Sequence, residues 1–456
     1  MYAETEAETE TETEKNLTDW TYRWGLSFYE LGISAFFACG GLAWLKRKYK
    51  VGVGERMGRI GPDVPKNALW VHAVSVGEVQ SALALFDVAR KGPGARPGPL
   101  PRLLSTVTVT GRAVAEKLAP RPTAMIYSPW DVPRFVNRAL DALAPKAYVA
   151  METERWPVML AALRARKIPA FLVNGRLSDR SARRLQGQRA FWRGVLCCFE
   201  RLMVRFESDK EQFLMLGVPE WKIIVTGDCK VDAMLVRRAG TDAGKWRFLR
   251  RAGGPLFLAG STHAGEDEIV LSAFEMVRRA HPGARLLIAP RHPERALSIA
   301  AEIAARHGKA VLFSRLTNEC GHEREREWDV AVVDRIGVLF ELYAAADAAF
   351  VGGSLVPKGG QNLMEPALFG IQAAHGPDMA DFPDAPRMDA LGASREVRDA
   401  ESLAEAWLRS LDREERKRTR EACETCFASV AGAASRSWSV IESYLSDVHS
   451  RKAGGE

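Results

Sequence analysis

Apolar and polar positions repeat with two different periods along most of this chain. Short apolar runs, typical of buried strands, recur from residue 68 onward and are separated by stretches with the three-to-four-residue period of amphipathic helices. The predicted strands are 68–74, 103–109, 147–151, 170–173, 201–204 and 223–226, then 256–259, 285–289, 330–333 and 348–351. The predicted helices include 78–89, 132–142, 156–165, 267–279 and 293–306. This alternation predicts parallel sheets with helices on both faces.

The two series of strands predict two α/β domains, each a doubly wound, Rossmann-like parallel sheet. A chain of 456 residues is too long for one core, and its 47% of hydrophobic residues supply enough apolar surface for two. The predicted order is a disordered acidic tail (1–20), an apolar helix (21–50), the first domain (51–236), a polar, glycine-containing linker (237–254), the second domain (255–401), and C-terminal helices with a tail (402–456).

The apolar stretch near the beginning of the chain predicts membrane attachment. Residues 25–45 hold a single charged residue, Glu30, and four basic residues follow within 46–50. As a helix this stretch is long enough for about 30 Å of hydrocarbon, and the basic residues after it favour a cytoplasmic body. A cleaved signal peptide has its basic residues before the apolar run. Glycines and polar residues weaken the span, so the helix crosses the bilayer, lies in its interface, or packs within a soluble domain.

Charge and cysteine content narrow the class of partner. The net charge is +7, but residues 1–14 hold six Glu and no basic residue, so the remainder carries +13. Such a body favours phosphate groups or an anionic membrane surface. Nucleic acid is not favoured, because the cations are dispersed and lack interleaved aromatic residues. The seven cysteines have no framework spacing and the Cys423–Cys426 pair has no second pair, so we expect reduced thiols and no metal site.

Candidate chemistry in the first domain begins after its first strand. Ser75, Gly77 and Glu78 form a turn that leads into a helix. A carboxylate at this position is either a general base that takes a proton from an attacking hydroxyl or a partner of the helix dipole, which is worth about 0.3–1 kcal/mol.

Further polar residues follow other strands of the first domain. Glu152 and Glu154 come directly after 147–151, where they either hold sugar hydroxyls or a cation, or cap the next helix. Arg112 follows a cluster of hydroxyl residues, and Arg176 ends another strand near further arginines. These cations suit a phosphorylated acceptor, and solvated helix faces explain them equally well.

The second domain contains a glycine-rich segment, 352–366, between a strand and a helix. Glycines allow close backbone approach and present N–H groups to phosphate oxygens at a helix start, although an ordinary strand-to-helix turn has the same composition. Asn362 and Glu365 are one turn apart and can share a ribose hydroxyl. Arg291 offers a guanidinium fork for phosphate, with His292 beside it. The candidate nucleotide-binding residues are Ser261, Arg291, His292, Gly337, Gly353, Ser354, Gly360, Asn362 and Glu365.

Taken together, these segments resemble the 3-deoxy-D-manno-octulosonic acid (Kdo) transferases of lipopolysaccharide assembly. The shared segments are 55–58, 75–78, 151–157, 177–181, 260–267, 290–294 and 352–366. The resemblance implies the GT-B architecture, with two Rossmann-like domains that face a cleft and an N-terminal membrane anchor on the cytoplasmic face of the inner membrane. It also implies transfer of Kdo from CMP-Kdo to a lipid A precursor, lipid IVA, with inversion and without a metal or other cofactor.

The resemblance also implies roles for individual residues. Glu78 matches the general base, while Arg291, Gly337, Asn362 and Glu365 match positions that hold the phosphate and ribose of the nucleotide. Ser75, Gly77, Arg112, Glu152, Glu154 and Arg176 are then the candidates for acceptor binding.

The sequence departs from the family pattern near the donor residues. Gln361 stands where the family usually has His, and Val338 where it usually has Glu. Segments 109–111, 174–176 and 371–377 also differ. These departures keep a second enzymatic interpretation open, a GT-B transferase that uses a UDP-sugar. A non-enzymatic protein that binds nucleotide or lipid without turnover is the third interpretation.

Overall fold

The computed structural model describes residues 12–41, 43, 45, 49–91, 100–117, 122–177, 179–242, 244–306, 308–317, 328–382, 384–428 and 430–453. The chain divides into two compact units. Unit 1 comprises Met1–Ala233 and Val430–Glu456, and unit 2 comprises Met234–Ser429. Of the predicted disordered tail, residues 1–11 lie outside the described part, whereas residues 12–20 belong to a helix.

Unit 1 is built on a seven-stranded parallel sheet. Its strands are β1 (Leu69–His72), β2 (Arg102–Thr106), β3 (Ala124–Tyr127), β4 (Ala147–Met151), β5 (Ala170–Gly175), β6 (Arg201–Val204) and β7 (Ile223–Val225). The strand order is β3-β2-β1-β4-β5-β6-β7, and every neighbouring pair is parallel. All residues of β1, β4 and β5 are buried, as expected for strands covered by helices on both faces.

Ten α-helices lie between Glu12 and Ala239 in the described part of the chain. They are α1 (Glu12–Phe36), α2 (Val53–Arg56), α3 (Val76–Lys91), α4 (Val109–Lys117), α5 (Pro133–Leu143), α6 (Pro157–Ala165), α7 (Asp179–Gln186), α8 (Arg189–Leu196), α9 (Glu207–Met215) and α10 (Cys229–Ala239).

Unit 2 repeats the same architecture. Its strands are β8 (Leu256–Thr262), β9 (Arg285–Pro290), β10 (Ala310–Leu312), β11 (Val330–Val332), β12 (Ala348–Val351), β13 (Ala373–His375) and β14 (Ser394–Glu396). They form a parallel sheet in the order β10-β11-β9-β8-β12-β13-β14. Its helices are α11 (Asp267–Ala280), α12 (Ala296–Arg306), α13 (Phe313–Leu316), α14 (Leu339–Tyr343), α15 (Met364–Ala367), α16 (Ala385–Leu391), α17 (Ala400–Arg409) and α18 (Arg413–Ala428). The prediction of two doubly wound parallel sheets is confirmed.

Two predicted boundaries differ from the structure. The segment predicted as a linker, 237–254, starts inside α10 and continues through residues Trp246 and Leu249, which are buried in a core cluster of unit 2. The C-terminal helices do not form one group. Helix α19 (Ala433–Ala453) belongs to unit 1, because Trp438 and Ile441 pack into the core cluster beneath β1 and α3.

Within the described part of the N-terminal apolar stretch, the α-helix changes to a π-helical turn. Helix α1 begins at Glu12, within polar sequence, and ends at Phe36, where a π-helical turn (Phe37–Gly41) follows. Tyr22 is buried against unit 1 and its hydroxyl lies 3.4 Å from the Cys198 sulfur, while the Tyr29 hydroxyl hydrogen-bonds Asp131. Among the helices described, none combines the length and apolarity that a membrane crossing requires.

Candidate active site

Both sheets contain a point where the strand order changes direction. In unit 1 it lies between β1 and β4, and in unit 2 between β8 and β12. The connections on the two sides leave toward opposite faces, which opens a crevice at the carboxyl ends of the strands. At the switch point of unit 1, Glu78 follows β1, and Glu152 and Glu154 follow β4. At the switch point of unit 2, Ser261 lies at the end of β8, and the 352–366 segment follows β12.

Glu78 lies in the first turn of α3 and is 7% exposed. Its Oε2 accepts the Val74 N–H at 2.8 Å, and its Oε1 accepts the Ser75 hydroxyl at 2.9 Å. The Glu78 N–H in turn donates to Ser75 Oγ at 3.4 Å. This arrangement is close to a Ser-x-x-Glu capping box, so Glu78 does stabilise the start of the helix. The same bonds fix the carboxylate in one orientation at the switch point.

Burial makes Glu78 more basic than an exposed glutamate. Desolvation raises its pKa and the nearby Glu152 raises it further, whereas the hydrogen bonds from Val74 and Ser75 and the charge of Arg176 lower it. Desolvation is the largest of these effects, so the net direction is upward. A fixed carboxylate with a raised pKa is suited to accept a proton near neutral pH.

Glu152 lies beside Glu78 and is paired with two cations. Its Oε2 lies 2.7 Å from Arg176 Nη2, and its Oε1 lies 3.0 Å from Lys230 Nζ. Glu152 has a backbone φ of 54°, in the left-handed region, as does Asn174 at 59°. Such strain often occurs at functional sites. Lys230 was not predicted, because it lies on α10, more than 50 residues after Arg176, and no local motif connects the two.

Glu154 is a third carboxylate close to Glu78. Burial and the charge of Glu78 raise its pKa to about 7, although Trp156 Nε1–H donates to its Oε2 at 2.8 Å. His72 Nε2 lies 3.8 Å from the same oxygen. His72 is fully buried, and desolvation lowers its pKa to about 4, so it is neutral at physiological pH. We define Glu78, Glu152 and Glu154 as the carboxylate cluster.

Arg112, predicted to bind the acceptor, pairs with other residues. Its Nη1 lies 3.5 Å from Glu55 Oε2 and its Nε lies 3.2 Å from Glu116 Oε1. With Glu55 and Tyr127 it lines a cavity of about 450 Å³ whose lining includes no member of the carboxylate cluster. The structure therefore joins Ser75 and Arg176 to the cluster, places the Cβ position of Gly77 3.8 Å from Lys230 Cε, and places Arg112 in a cavity that the cluster does not line.

At the switch point of unit 2, a buried carboxylate organises the glycine-rich segment. Glu266 has no exposed surface, and its two oxygens accept four backbone N–H groups at 2.8 to 3.0 Å. The donors are His263, Gly353, Ser354 and Leu355. Glu266 therefore accepts the N–H groups of both Gly353 and Ser354, two of the residues predicted to bind the donor, so these N–H groups are directed to Glu266 in this structure.

Close packing around Glu266 accounts for other features of this segment. A Cβ atom at Gly352 would lie 2.7 Å from Glu266 Oε2 and from the Ser261 carbonyl oxygen, so only glycine fits. The Ser354 side chain is buried, donates to the Val351 carbonyl at 2.6 Å and accepts the Gly376 N–H at 2.8 Å. Ser354 thus holds the segment together and does not offer its hydroxyl to a ligand. Sequence reasoning missed Glu266, which resembles an ordinary helix-start glutamate.

Several other predicted donor residues surround this segment. Ser261 has a φ of 60°, and the His263 ring lies 3.3 Å from the Cβ position of Gly353. The His263 and His292 rings stand perpendicular, with centroids 6.0 Å apart. Arg291, which begins the loop after β9, is exposed. Loops after β8, β9 and β12 therefore meet here. His263 was not predicted, although it follows its strand as closely as Arg291 does.

The remaining predicted donor residues have defined positions. Asn362 Oδ1 accepts the N–H of Met364, the first residue of α15, at 3.0 Å. Burial raises the pKa of Glu365, and the charge of Arg237 opposes this shift. Gly360 donates its N–H to the Gly353 carbonyl at 2.7 Å. Gly337 has a φ of 90°, and no described atom lies within 4 Å of its Cβ position, which leaves room for close approach of a ligand.

The chain is similar in sequence to a family of sugar transferases and similar in fold to a nucleotide-sugar epimerase. Residues 52–233 match the family described as "3-Deoxy-D-manno-octulosonic-acid transferase (kdotransferase)". The chain is 31% identical to a 3-deoxy-D-manno-octulosonic acid transferase of Haemophilus influenzae, over 87% of this chain and 92% of that protein. It is 32% identical to the transferase of Bordetella pertussis, over 88% and 95%. UDP-GlcNAc 2-epimerase from Neisseria meningitidis has a similar fold, with 13% identity, a TM-score of 0.54, and coverage of 83% of this chain and 100% of that chain.

The raised pKa of Glu154 predicts a pH-dependent gain in stability for Glu154→Gln. Because the folded-state pKa of about 7 exceeds the ordinary value of 4.5, the folded protein binds an extra proton between these values and loses stability as pH rises through 7. Each pH unit of difference is worth about 1.4 kcal/mol, so we expect the variant to be stabilised by up to about 3 kcal/mol at pH 8.5. At pH 4 the difference should vanish. Thermal unfolding at both pH values measures it, and an equal effect at the two would contradict the assignment.

Glu266→Gln tests the organising role of the buried carboxylate. The amide nitrogen cannot accept a hydrogen bond, so two of the four N–H groups lose their partner, at about 1–3 kcal/mol each. We expect the unfolding temperature to fall by at least about 4 °C. Glu405→Gln, an exposed substitution on α17, is the matched control and should leave it unchanged. If both variants unfold at the wild-type temperature, Glu266 does not hold the segment.

Proposed function

Since the chain belongs to the 3-deoxy-D-manno-octulosonic acid transferase family, we propose that it transfers Kdo from CMP-Kdo to the lipid A precursor lipid IVA with inversion at the anomeric carbon. The observation that supports this most is the fixed, buried carboxylate of Glu78 at the switch point of unit 1. Its local hydrogen bonds alone would lower the pKa, yet burial keeps the pKa raised, as a general base requires.

The proposed reaction is a single displacement. Glu78 takes the proton of the acceptor hydroxyl as the oxygen attacks the anomeric carbon of Kdo. The bond between that carbon and the phosphate oxygen breaks, and CMP departs with the bonding electrons. Because attack and departure occur on opposite faces, the configuration inverts without a covalent enzyme intermediate.

Charge balance around Glu78 supports its role as the base. Glu152 is paired with Arg176 and Lys230, so its charge is largely compensated, while Glu78 has no cation within hydrogen-bonding distance among the described residues. Glu154, with a pKa of about 7, is partly protonated at neutral pH. We propose that Ser75, Gly77, Glu152, Glu154 and Arg176 surround the acceptor sugar.

For the donor, we propose that Arg291 neutralises the phosphate of CMP-Kdo and that no metal ion is needed. A guanidinium forms paired hydrogen bonds with phosphate, and the exposed position of Arg291 leaves its side chain accessible. Ser261, His292, Gly337, Gly360, Asn362 and Glu365 are assigned to the nucleotide and sugar. Gly353 and Ser354 act indirectly, through the segment that Glu266 fixes.

A UDP-sugar donor is the second candidate, which the departure from the family pattern at Gln361 keeps open. Gln361 packs 3.6 Å from the Cβ position of Gly353 and its Nε2 donates to the Gly360 carbonyl at 2.9 Å. A histidine here would change the polar surface beside the donor. Competition of CMP against UDP for the donor site distinguishes the two candidates.

We further propose that α1 binds the cytoplasmic face of the inner membrane by lying in its interface. Trp20, Trp24, Phe28, Leu31 and Phe36 are 46% to 67% exposed. The first four repeat every three or four residues and therefore share one face of α1, which suits the headgroup region. On the other side of α1, Tyr22 contacts Cys198 and Tyr29 contacts Asp131, both in the rest of unit 1.

Glu78→Gln tests the proposed base. We expect kcat for Kdo transfer to fall by about 10²–10⁴-fold, because proton removal is lost, while the affinity for CMP is unchanged. For Arg291→Ala we expect weaker binding of CMP, because the guanidinium proposed to pair with the phosphate is lost. Glu211→Gln, an exposed glutamate of α9, is the matched control. Mass spectrometry of lipid IVA incubated with CMP-Kdo measures transfer, and wild-type turnover by Glu78→Gln would exclude the base assignment.

The double variant Trp24→Glu, Phe28→Glu tests the membrane proposal. Two charges on the exposed face of α1 should reduce binding to phosphatidylglycerol vesicles at least about tenfold, because apolar burial in the interface is lost. Trp221→Glu changes another exposed tryptophan of unit 1 and should have little effect. Co-sedimentation measures binding. Equal loss in both variants would show that charge alone, and not the α1 face, determines attachment.

A further inference from the structure

A cavity of about 800 Å³ opens at the amino ends of β8 and β12 in unit 2. Its lining includes Arg247, Arg250, Arg251, His281, Asp347 and Arg416. The seven residues of β8 separate this edge of the sheet from the carboxyl edge by about 20 Å. The lining contains none of the residues assigned to the donor, so the cavity is a separate site.

Positive charge dominates the cavity, because four arginines face a single carboxylate. Asp347 is nearly buried and connects two of them. Its Oδ1 pairs with Arg416 Nη2 at 2.7 Å, and its Oδ2 pairs with Arg250 Nη1 at 2.8 Å. The same Oδ2 accepts the Leu256 N–H at 2.9 Å, so Asp347 is fixed to the first residue of β8.

The two guanidinium groups around Asp347 are held in place by the backbone as well. Arg250 Nε donates to the Ala345 carbonyl at 3.0 Å, and Arg416 Nε donates to the Ser410 carbonyl at 2.9 Å. Each guanidinium has five N–H donors, so each retains N–H groups beyond these contacts. Binding an anion there costs little side-chain entropy, because both groups are already ordered.

The other two arginines add charge at the rim of the cavity. Arg251 Nη2 lies 3.4 Å from Asp329 Oδ1 and donates to the Trp328 carbonyl at 3.2 Å. Arg247 is exposed, and within the part of unit 2 that the structure describes no carboxylate pairs with it. Four arginines and one carboxylate line the cavity, so its charge stays positive even when Asp329, which lies outside the lining, compensates Arg251.

We propose that this cavity binds a phosphate group. Guanidinium forks match the geometry of phosphate oxygens, and several ordered arginines around one space favour a multiply charged tetrahedral anion over a single carboxylate. The phosphate belongs either to a soluble molecule or to a lipid headgroup, and the chemistry of recognition is the same for both.

The experiment uses the full chain with saturating CMP, which occupies the donor site. Inorganic phosphate is titrated by calorimetry into wild type, Arg247→Glu and Arg398→Glu. We expect saturable binding by wild type and at least about tenfold weaker binding by Arg247→Glu, because a charge beside the anion is reversed. Arg398→Glu makes the same change at an exposed arginine beyond the cavity and should stay within about twofold of wild type.

A second arm identifies the source of the phosphate. Vesicles of phosphatidylcholine with and without phosphatidic acid are compared for the same three proteins. A loss specific to Arg247→Glu on phosphatidic acid vesicles assigns the site to lipid headgroups, and a loss confined to inorganic phosphate assigns it to soluble anions. Equal behaviour of the two variants in both arms, or no saturable binding by wild type in either, overturns the proposal. Thermal unfolding confirms that Arg247→Glu is folded.

Discussion

A buried carboxylate must find hydrogen-bond donors or cations, and this requirement organises both units. Glu266 satisfies it with four backbone N–H groups, Glu152 with Arg176 and Lys230, and Asp347 with two arginines and the first residue of β8. Each lies at or near a strand end, where loops from neighbouring parallel strands supply donors. The carboxylates therefore determine which loops meet and which polar groups stay available.

Glu78 differs from these because its partners are local. The Val74 N–H and the Ser75 hydroxyl orient it, and burial raises its pKa by more than these hydrogen bonds and the charge of Arg176 lower it. Glu78 therefore caps α3 and still has the raised pKa that a general base needs. In unit 2 the central N–H groups of the glycine-rich segment bind Glu266, which fixes the shape of the segment, while the side chain of Arg291, for which we propose phosphate binding, is exposed after β9.

The sequence predicted the architecture well, because ten of the strands lie in apolar-rich runs that alternate with amphipathic helices. It missed β3, β10, β13 and β14, which have only three or four residues and lie at or near the sheet edges. Candidate residues near β1, β4 and β8 were predictable from their positions at strand ends. Lys230, Glu266 and the separate position of Arg112 were not, because they depend on pairings between distant segments. The sequence did not indicate the change from the α-helix to a π-helical turn after Phe36, which lies inside the predicted apolar helix.

The pH dependence of kcat at saturating CMP-Kdo and lipid IVA tests whether Glu78 is the general base, because a base must be deprotonated to act. We expect wild-type activity to rise with pH through an apparent pKa above the ordinary value of glutamate, since burial raises the pKa of Glu78. In Glu78→Gln the residual activity should lack this rise. The same rise in the variant would contradict the account, because another group would then accept the proton.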